Sequence, residues 1–206
     1  MTGDHLETEQ KYDAEADFVL PKLGSLHELK SLRMADKKRF YMSATYFDTE
    51  DLDLNRHKIT LRRRVGGDDE GWHLKLPVRK DTRQELHAPL DEGDTGSVPA
   101  RLAAQVEDIT AGQRLRPIAI LDTERTVCTL TSAAGEALVE VADDQVTAVK
   151  LSETESKPLT WREVEVEVKS SDPQAAELLG TVGEVLREAG ARPSASGSKL
   201  ARLLQS

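Results

Sequence analysis

One cysteine, Cys128, is all that 206 residues contain. A lone thiol closes no internal disulfide and builds no thiolate zinc site; it suits a reducing compartment, and we expect a cytoplasmic protein with Cys128 as a small buried apolar residue. Aromatic residues are scarce at 4%, which leaves little equipment for stacking a planar ring. No apolar run approaches the ~20 residues of a membrane helix, and none at the N-terminus resembles a signal peptide. There is no Walker-type loop, no GxGxxG and no serine in a nucleophile elbow. The five histidines, His5, His27, His57, His73 and His87, lack zinc-protease spacing. Positive charge is in deficit, with 28 Lys and Arg against 37 Asp and Glu. A net charge of −9 argues against a general nucleic-acid binder, and without a run of membrane-spanning length no membrane partner is expected. No repeat or low-complexity tract appears, and 38% hydrophobic residues suffice for one domain spanning 1–206.

What the chain does have is charge in rows. HLETEQKY places Glu7, Glu9 and Lys11 at alternate positions, and WREVEVEVK places Glu163, Glu165, Glu167 and Lys169 so, with Val164, Val166 and Val168 between them. Alternate residues of a strand share a face, so each strand carries a row of carboxylates. Such rows also suit an ordinary half-exposed antiparallel strand, and Arg62, Arg63 and Arg64 could merely discourage edge pairing. The segregation, however, recurs along nearly every strand. Basic faces come from Lys11, Arg62, Arg64, Lys75, Arg79, Arg83 and Arg125; acidic faces come from Glu7, Glu9, Glu85, Asp144, Glu163, Glu165 and Glu167. Lining one enclosed space, the acids would hold a hard divalent cation through oxygen and the bases a polyanion, as a metal-bound triphosphate requires.

The periodicity predicts strands over 5–12, 58–65, 72–79, 82–88, 116–130, 137–150 and 161–169, with Tyr46 and Phe47 opening another short strand or turn. GGDDEG is the loop of a hairpin, and Trp72 beside it reads as a core anchor. Helices are predicted over 14–33, interrupted at Pro21 and Gly24; over 98–108, opened by Ser97 and Pro99; over 173–189; and over 198–204. Asp172, Pro173 and Gly190 punctuate the third. Strands at hairpin spacing with few intervening helices imply a mainly β, antiparallel barrel or strongly curved sheet. His73 and His87 are weaker candidates for its lumen.

Glu7-Thr8-Glu9-Gln10-Lys11 resembles the ExExK signature of the CYTH domain, the triphosphate tunnel metalloenzyme fold. Tyr46-Phe47-Asp48-Thr49 resembles the family's YFDT segment, Leu61-Arg62-Arg63-Arg64 its LRxR strand, Lys75 its lysine strand and Arg83-x-Glu85 its RxE step. Arg125 falls in the next basic strand, Asp143-Asp144 and Glu163-x-Glu165-x-Glu167 in the late acidic strands, and Ser198-Lys199 in the final SK motif. The match runs from about residue 5 to 204. It implies an eight-stranded antiparallel tunnel with flanking helices and a magnesium- or manganese-dependent triphosphatase. The resemblance makes Glu7, Glu9, Asp144, Glu163, Glu165 and Glu167 the metal-ligand candidates, without deciding which late glutamates ligate. It makes Lys11, Arg62, Arg64, Lys75, Arg83, Arg125 and Lys199 the phosphate-binding candidates, and Glu7, Glu9, Lys11 and Glu165 the catalytic centre. Inorganic triphosphate or short polyphosphate is the favoured substrate. A non-catalytic polyphosphate- or nucleotide-binding module, a class IV-type adenylate cyclase and a thiamine or nucleoside triphosphatase are the alternatives. The wording also resembles CYTH domains that precede a CHAD domain, a possible partner in a longer chain.

Overall fold

A computed structural model describes residues 5–25, 32–35, 37–92, 97–151 and 156–206. The strands are β1 (His5–Ala14), β2 (Arg33–Met34), β3 (Lys38–Asp48), β4 (Thr60–Val65), β5 (Gly71–Arg79), β6 (Thr82–Ala88), β7 (Arg116–Thr131), β8 (Ala137–Lys150), β9 (Leu159–Val168) and β10 (Arg192–Pro193). Between and after them lie helices α1 (Asp53–Arg56), α2 (Ala100–Ala104), α3 (Glu107–Thr110), α4 (Pro173–Glu188) and α5 (Lys199–Gln205). Antiparallel pairing runs β1-β6-β5-β4-β3-β7-β8-β9, and β9 returns to β1, closing eight strands into a barrel. Closure depends on β1 changing partners: residues 5–8 pair with β6, and residues 9–14 pair with β9. β2 and β10 add short ladders outside the ring, on β7 and β1.

The alternation of β9 divides its residues between two environments. Val164 and Val166 face outward and join Val139 and Val141 of β8 beneath Leu178, Val182 and Leu186 of α4. Each of these side chains is removed from water, worth about 1.5–3 kcal/mol apiece. α4 starts where punctuation predicts: the Asp172 carboxylate accepts from Gln174 N at 2.8 Å, with Pro173 at the first helical position. Across the barrel, α1, α2 and α3 cover the outer faces of β4 and β5, where Trp72 is fully buried and tilted against Phe47 at 5.1 Å between ring centroids. α5 does something different. Its Leu200 and Leu203 pack among Ala44, Tyr46, Leu121, Val146 and Ala148, on the inward parity of β3, β7 and β8, so the helix fills one end of the barrel. Ser198 caps it, accepting from Ala201 N at 3.0 Å.

Three expectations need correction. Residues 15–22 form no helix, and only a 3-10 turn follows at Leu23–Ser25; the remainder of the predicted 14–33 helix includes 26–31, outside the described residues. The carbonyls that helical N–H groups would need are taken by Arg162, which donates to Ala16 O at 3.1 Å and Phe18 O at 2.6 Å. The 98–108 helix is two short ones, α2 and α3, hinged at Gln105 and Val106; the break lets Leu102 and Val106 both reach the cluster around Trp72. Tyr46 and Phe47 do not open a strand: they lie near the end of the eleven-residue β3.

Candidate active site

Strand register turns the rows of charge into contacts. Arg125 lies opposite Asp144, which lies opposite Glu163. Lys11 lies opposite Glu165, and Glu9 opposite Glu167, itself opposite Glu140. Glu7 faces Arg83, Lys75 faces Glu85, and Tyr46 faces Arg62. Most of these side chains line a cavity of about 440 Å³. Among the expected site residues, Glu7, Glu9, Lys11, Arg62, Arg64, Lys75, Arg83, Arg125, Glu165, Glu167 and Lys199 line it. Asp144 and Glu163 stand behind the lining, buried, and reach it through Lys199.

At the end filled by α5, the Lys199 ammonium sits 2.9 Å from Asp144, 2.8 Å from Glu163 and 2.7 Å from Glu165. Arg125 holds Asp144 through two bonds of 2.7 and 2.6 Å and reaches Glu165 at 2.6 Å. Lys11 pairs with Glu165 and lies 3.0 Å from Glu9. Burial would raise the Glu165 carboxyl, but Lys11, Lys199 and Arg125 hold it well below the usual range. Asp144 is lowered too, burial being outweighed by Arg125 and Lys199. Burial likewise opposes the charge on Lys199, yet the three carboxylates hold its ammonium well above the ordinary value. Glu167 goes the other way: burial, then the neighbouring Glu7, raises it.

A second charged group lies along β4, β5 and β6. Lys75 bonds both oxygens of Glu7, at 2.7 and 2.5 Å. Glu85 accepts from His73 Nδ1 at 2.7 Å, and burial pulls that imidazole down to about 4. Arg64 is clamped by Asp69 of the hairpin loop, through the carboxylate and through the carbonyl at 2.9 and 2.7 Å. Arg62 is different. Among the described residues its side chain makes one hydrogen bond, a 3.3 Å donation to Tyr46 Oη, and its buried Nε has no partner.

Sequence reasoning left several lining residues without a role: Tyr46, Thr60, Glu140, Lys169 and the loop acids Asp68 and Asp69. Parity could have found most of them. Glu140 is two steps of two from Asp144, Lys169 continues the glutamate row, and Thr60 shares a face with Arg62. Nothing in the sequence marks the loop acids. Conversely, Arg79 does not line the cavity: a register shift between Pro77 and Arg79 leaves it exposed, donating to Thr82 Oγ1 at 3.1 Å. His73 and His87 do not line it either.

Residues 5–203 match the CYTH domain model. The chain belongs to the CYTH domain family. This CYTH chain is 40% identical, over 210 aligned positions and 97% of its length, to uncharacterized proteins of two Mycobacterium tuberculosis strains, and it spans 40% of the length of those relatives. Its fold resembles a candidate adenylate cyclase of Bacillus halodurans, with 18% identity, TM-score 0.59 and coverage of 97% of this chain and 98% of that one. It also resembles a candidate adenylyl cyclase of Hippeastrum with a dominant triphosphatase activity, with 17% identity, TM-score 0.58 and coverage of 97% and 95%. No helix among the described residues is long and apolar enough to cross a membrane.

Ligand atoms of Asp144, Glu163 and Glu165 lie within 4.8 Å of one another, an all-oxygen set of the kind that suits a hard divalent ion, with the Lys199 ammonium on all three carboxylates and Arg125 on two of them. A second such group, Asp69, His73 and His87, likewise has a cation, the Arg64 guanidinium, on its carboxylate.

Proposed function

We propose that this CYTH domain hydrolyses a phosphoric anhydride, with inorganic triphosphate or a short polyphosphate as substrate and magnesium or manganese as the ion. The observation that carries the reading is Arg62: a half-buried side chain in the cavity wall whose buried Nε has no acceptor among the described residues. A buried N–H without an acceptor costs about 1–3 kcal/mol, which a phosphate oxygen would recover. The lining is also balanced, with eight acidic and eight basic side chains. A highly charged anion is therefore best admitted together with its own cation.

In this reading Arg62, Arg64, Lys75, Arg83, Arg125, Lys11 and Lys199 grip and orient the chain, and Tyr46 holds Arg62 in place. Glu7, Glu9, Asp144, Glu163, Glu165 and Glu167 supply the carboxylates for the ion. When bound, that ion would polarise phosphoryl oxygens and make a water more acidic. The protein's own share is positional and electrostatic: fixed cations at the places where negative charge grows, in a space with little competing water. Tyr46 is the only aromatic ring in the lining among the described residues, so the cavity offers scant purchase to an adenine or thiamine ring, and the cyclase and thiamine alternatives lose support. A CHAD partner in a longer chain, which rests on sequence resemblance alone, and a cytoplasmic site of action, which rests on the lone cysteine, belong to the same proposal.

Phosphate release from inorganic triphosphate, with and without magnesium, tests the proposal. Hydrolysis should require the ion and fall by about 100-fold or more in Glu165→Gln. Full activity in that variant, or cyclic AMP as the main product from ATP, would overturn it.

A further inference from the structure

Outside the barrel, beside the site, runs a second space of about 690 Å³. It lies along the stretch of β1 where the ring is least well sewn. The β1–β6 ladder ends at Thr8 and Thr82, and the β1–β10 ladder begins only at Tyr12 and Pro193. Between them the wall is bridged by single bonds: Glu9 N donates to Asp81 O at 3.1 Å, Ser194 N donates to Lys11 O at 2.8 Å, and Arg83 donates to Gly197 O. Glu9, Lys11 and Arg83 line both the inner cavity and this outer groove, so the two spaces share this stretch of wall.

The groove's charge stands against that of the molecule. The chain carries a net −9, yet beyond the shared residues the groove adds Lys58, Arg79, Lys80 and Arg187, with Asp81 as its one further acid. All four bases are exposed, and none of them makes an ion pair among the described residues. Exposed cations that outnumber the nearby acids, here only Asp81 and the shared Glu9 among the described lining residues, repel one another, a cost that a polyanion removes. The identity of that polyanion follows from what the groove lacks. Tyr12 is the one aromatic ring in its lining among the described residues; it is 2% exposed and donates to Gln10 Oε1 at 2.6 Å, so none of those rings is free to stack a base. A chain of phosphates without bases fits, and it would be continuous with the inner site through Arg83 and Lys11.

Resting on the function proposed above, we infer that the groove holds the outer run of a linear inorganic polyphosphate whose end lies in the cavity, so that the protein prefers chains longer than triphosphate. The triple variant Lys58→Gln/Lys80→Gln/Arg187→Gln tests this without touching the inner site. Binding is read directly, by competition at fixed salt, with three probes: inorganic triphosphate, a polyphosphate many units long, and a single-stranded oligonucleotide of matching charge. Hydrolysis of the two phosphate probes is followed in parallel. The expected result is about tenfold weaker binding of the long chain in the variant, with triphosphate binding and turnover unchanged. Equal loss for both phosphate probes, or no loss for either, overturns the inference. So does an oligonucleotide that binds the wild type as tightly as the long chain, since the groove would then be a general polyanion surface. A wild type that discriminates chain length but hydrolyses neither phosphate supports the groove and sinks only the hydrolase reading.

Discussion

At the scale of single residues, Lys199 holds the most in balance. Its ammonium is the common partner of three carboxylates, two of them buried away from the cavity. Removing one member of a buried ion cluster leaves charge uncompensated and costs about 3–5 kcal/mol. Lys199→Met should therefore lower the melting temperature by on the order of 10 °C, and added magnesium should restore part of the loss by supplying the missing positive charge. A melting curve superimposable on wild type would refute this. His73 gives a prediction in pH. Burial, aided by Arg62 and Arg64 and opposed by the Glu85 carboxylate, holds its imidazole at about 4, below the ordinary 6.5. Between those two values the unfolded chain takes up a proton that the folded chain does not, so stability falls as pH is lowered through that window, by at most about 1.4 kcal/mol per unit. Urea unfolding at several pH values should show a shallower slope for His73→Gln. The depressed carboxyls of Glu9, Asp144 and Glu165 act lower still: their contribution is present above the ordinary carboxylate range and is lost as pH falls below it.

At the scale of elements, α4 offers a paired test. Gly180 and Gly183 sit in the same helix, where alanine is intrinsically better by about 1 kcal/mol. A Cβ at Gly180 would meet nothing within 4 Å, whereas one at Gly183 would lie 2.1 Å from Tyr12 Oη. Tyr12 is buried and cannot swing aside, so the overlap, at about 1–3 kcal/mol, should outweigh the propensity gain. Gly180→Ala should raise the melting temperature and Gly183→Ala should lower it; the same sign for both would show that Tyr12 does not rest on the helix. The elements were legible in the sequence wherever local chemistry decides them. Alternation over β7 and β8 was long enough to predict both strands to within a residue, and Asp172, Pro173 and Gly190 bracketed α4. They were illegible where a distant residue intervenes. Nothing in residues 14–33 announces that Arg162 will claim the carbonyls of Ala16 and Phe18. The bulge that turns Arg79 out is a property of the β5–β6 pairing, and the insertion of α5 into the barrel end depends on which leucines meet which strands. Inward parity could be read for most site residues; that Asp144 and Glu163 would lie behind Lys199 could not, because it depends on the register of three strands.

At the scale of the molecule, the ring is unevenly sewn. β7 and β8 pair over thirteen positions, but β1 and β6 pair over only four. Local opening follows the weaker ladder, so amides of residues 5–8 and 82–85 should exchange with solvent well before those at the centre of β7 and β8. Uniform protection around the barrel would contradict that ordering. The weak ladder belongs to the same strand that carries Glu7, Glu9 and Lys11, and there lies a practical consequence. The keystone of the arch is also its hook: the segment that shuts the circle presents these charges to the interior. Trimming the chain back past Thr8 should not yield a sturdy shell with a milder chemistry. It should unseat wall and working parts in one stroke, so that loss of structure and loss of phosphate binding appear together, without an intermediate stage.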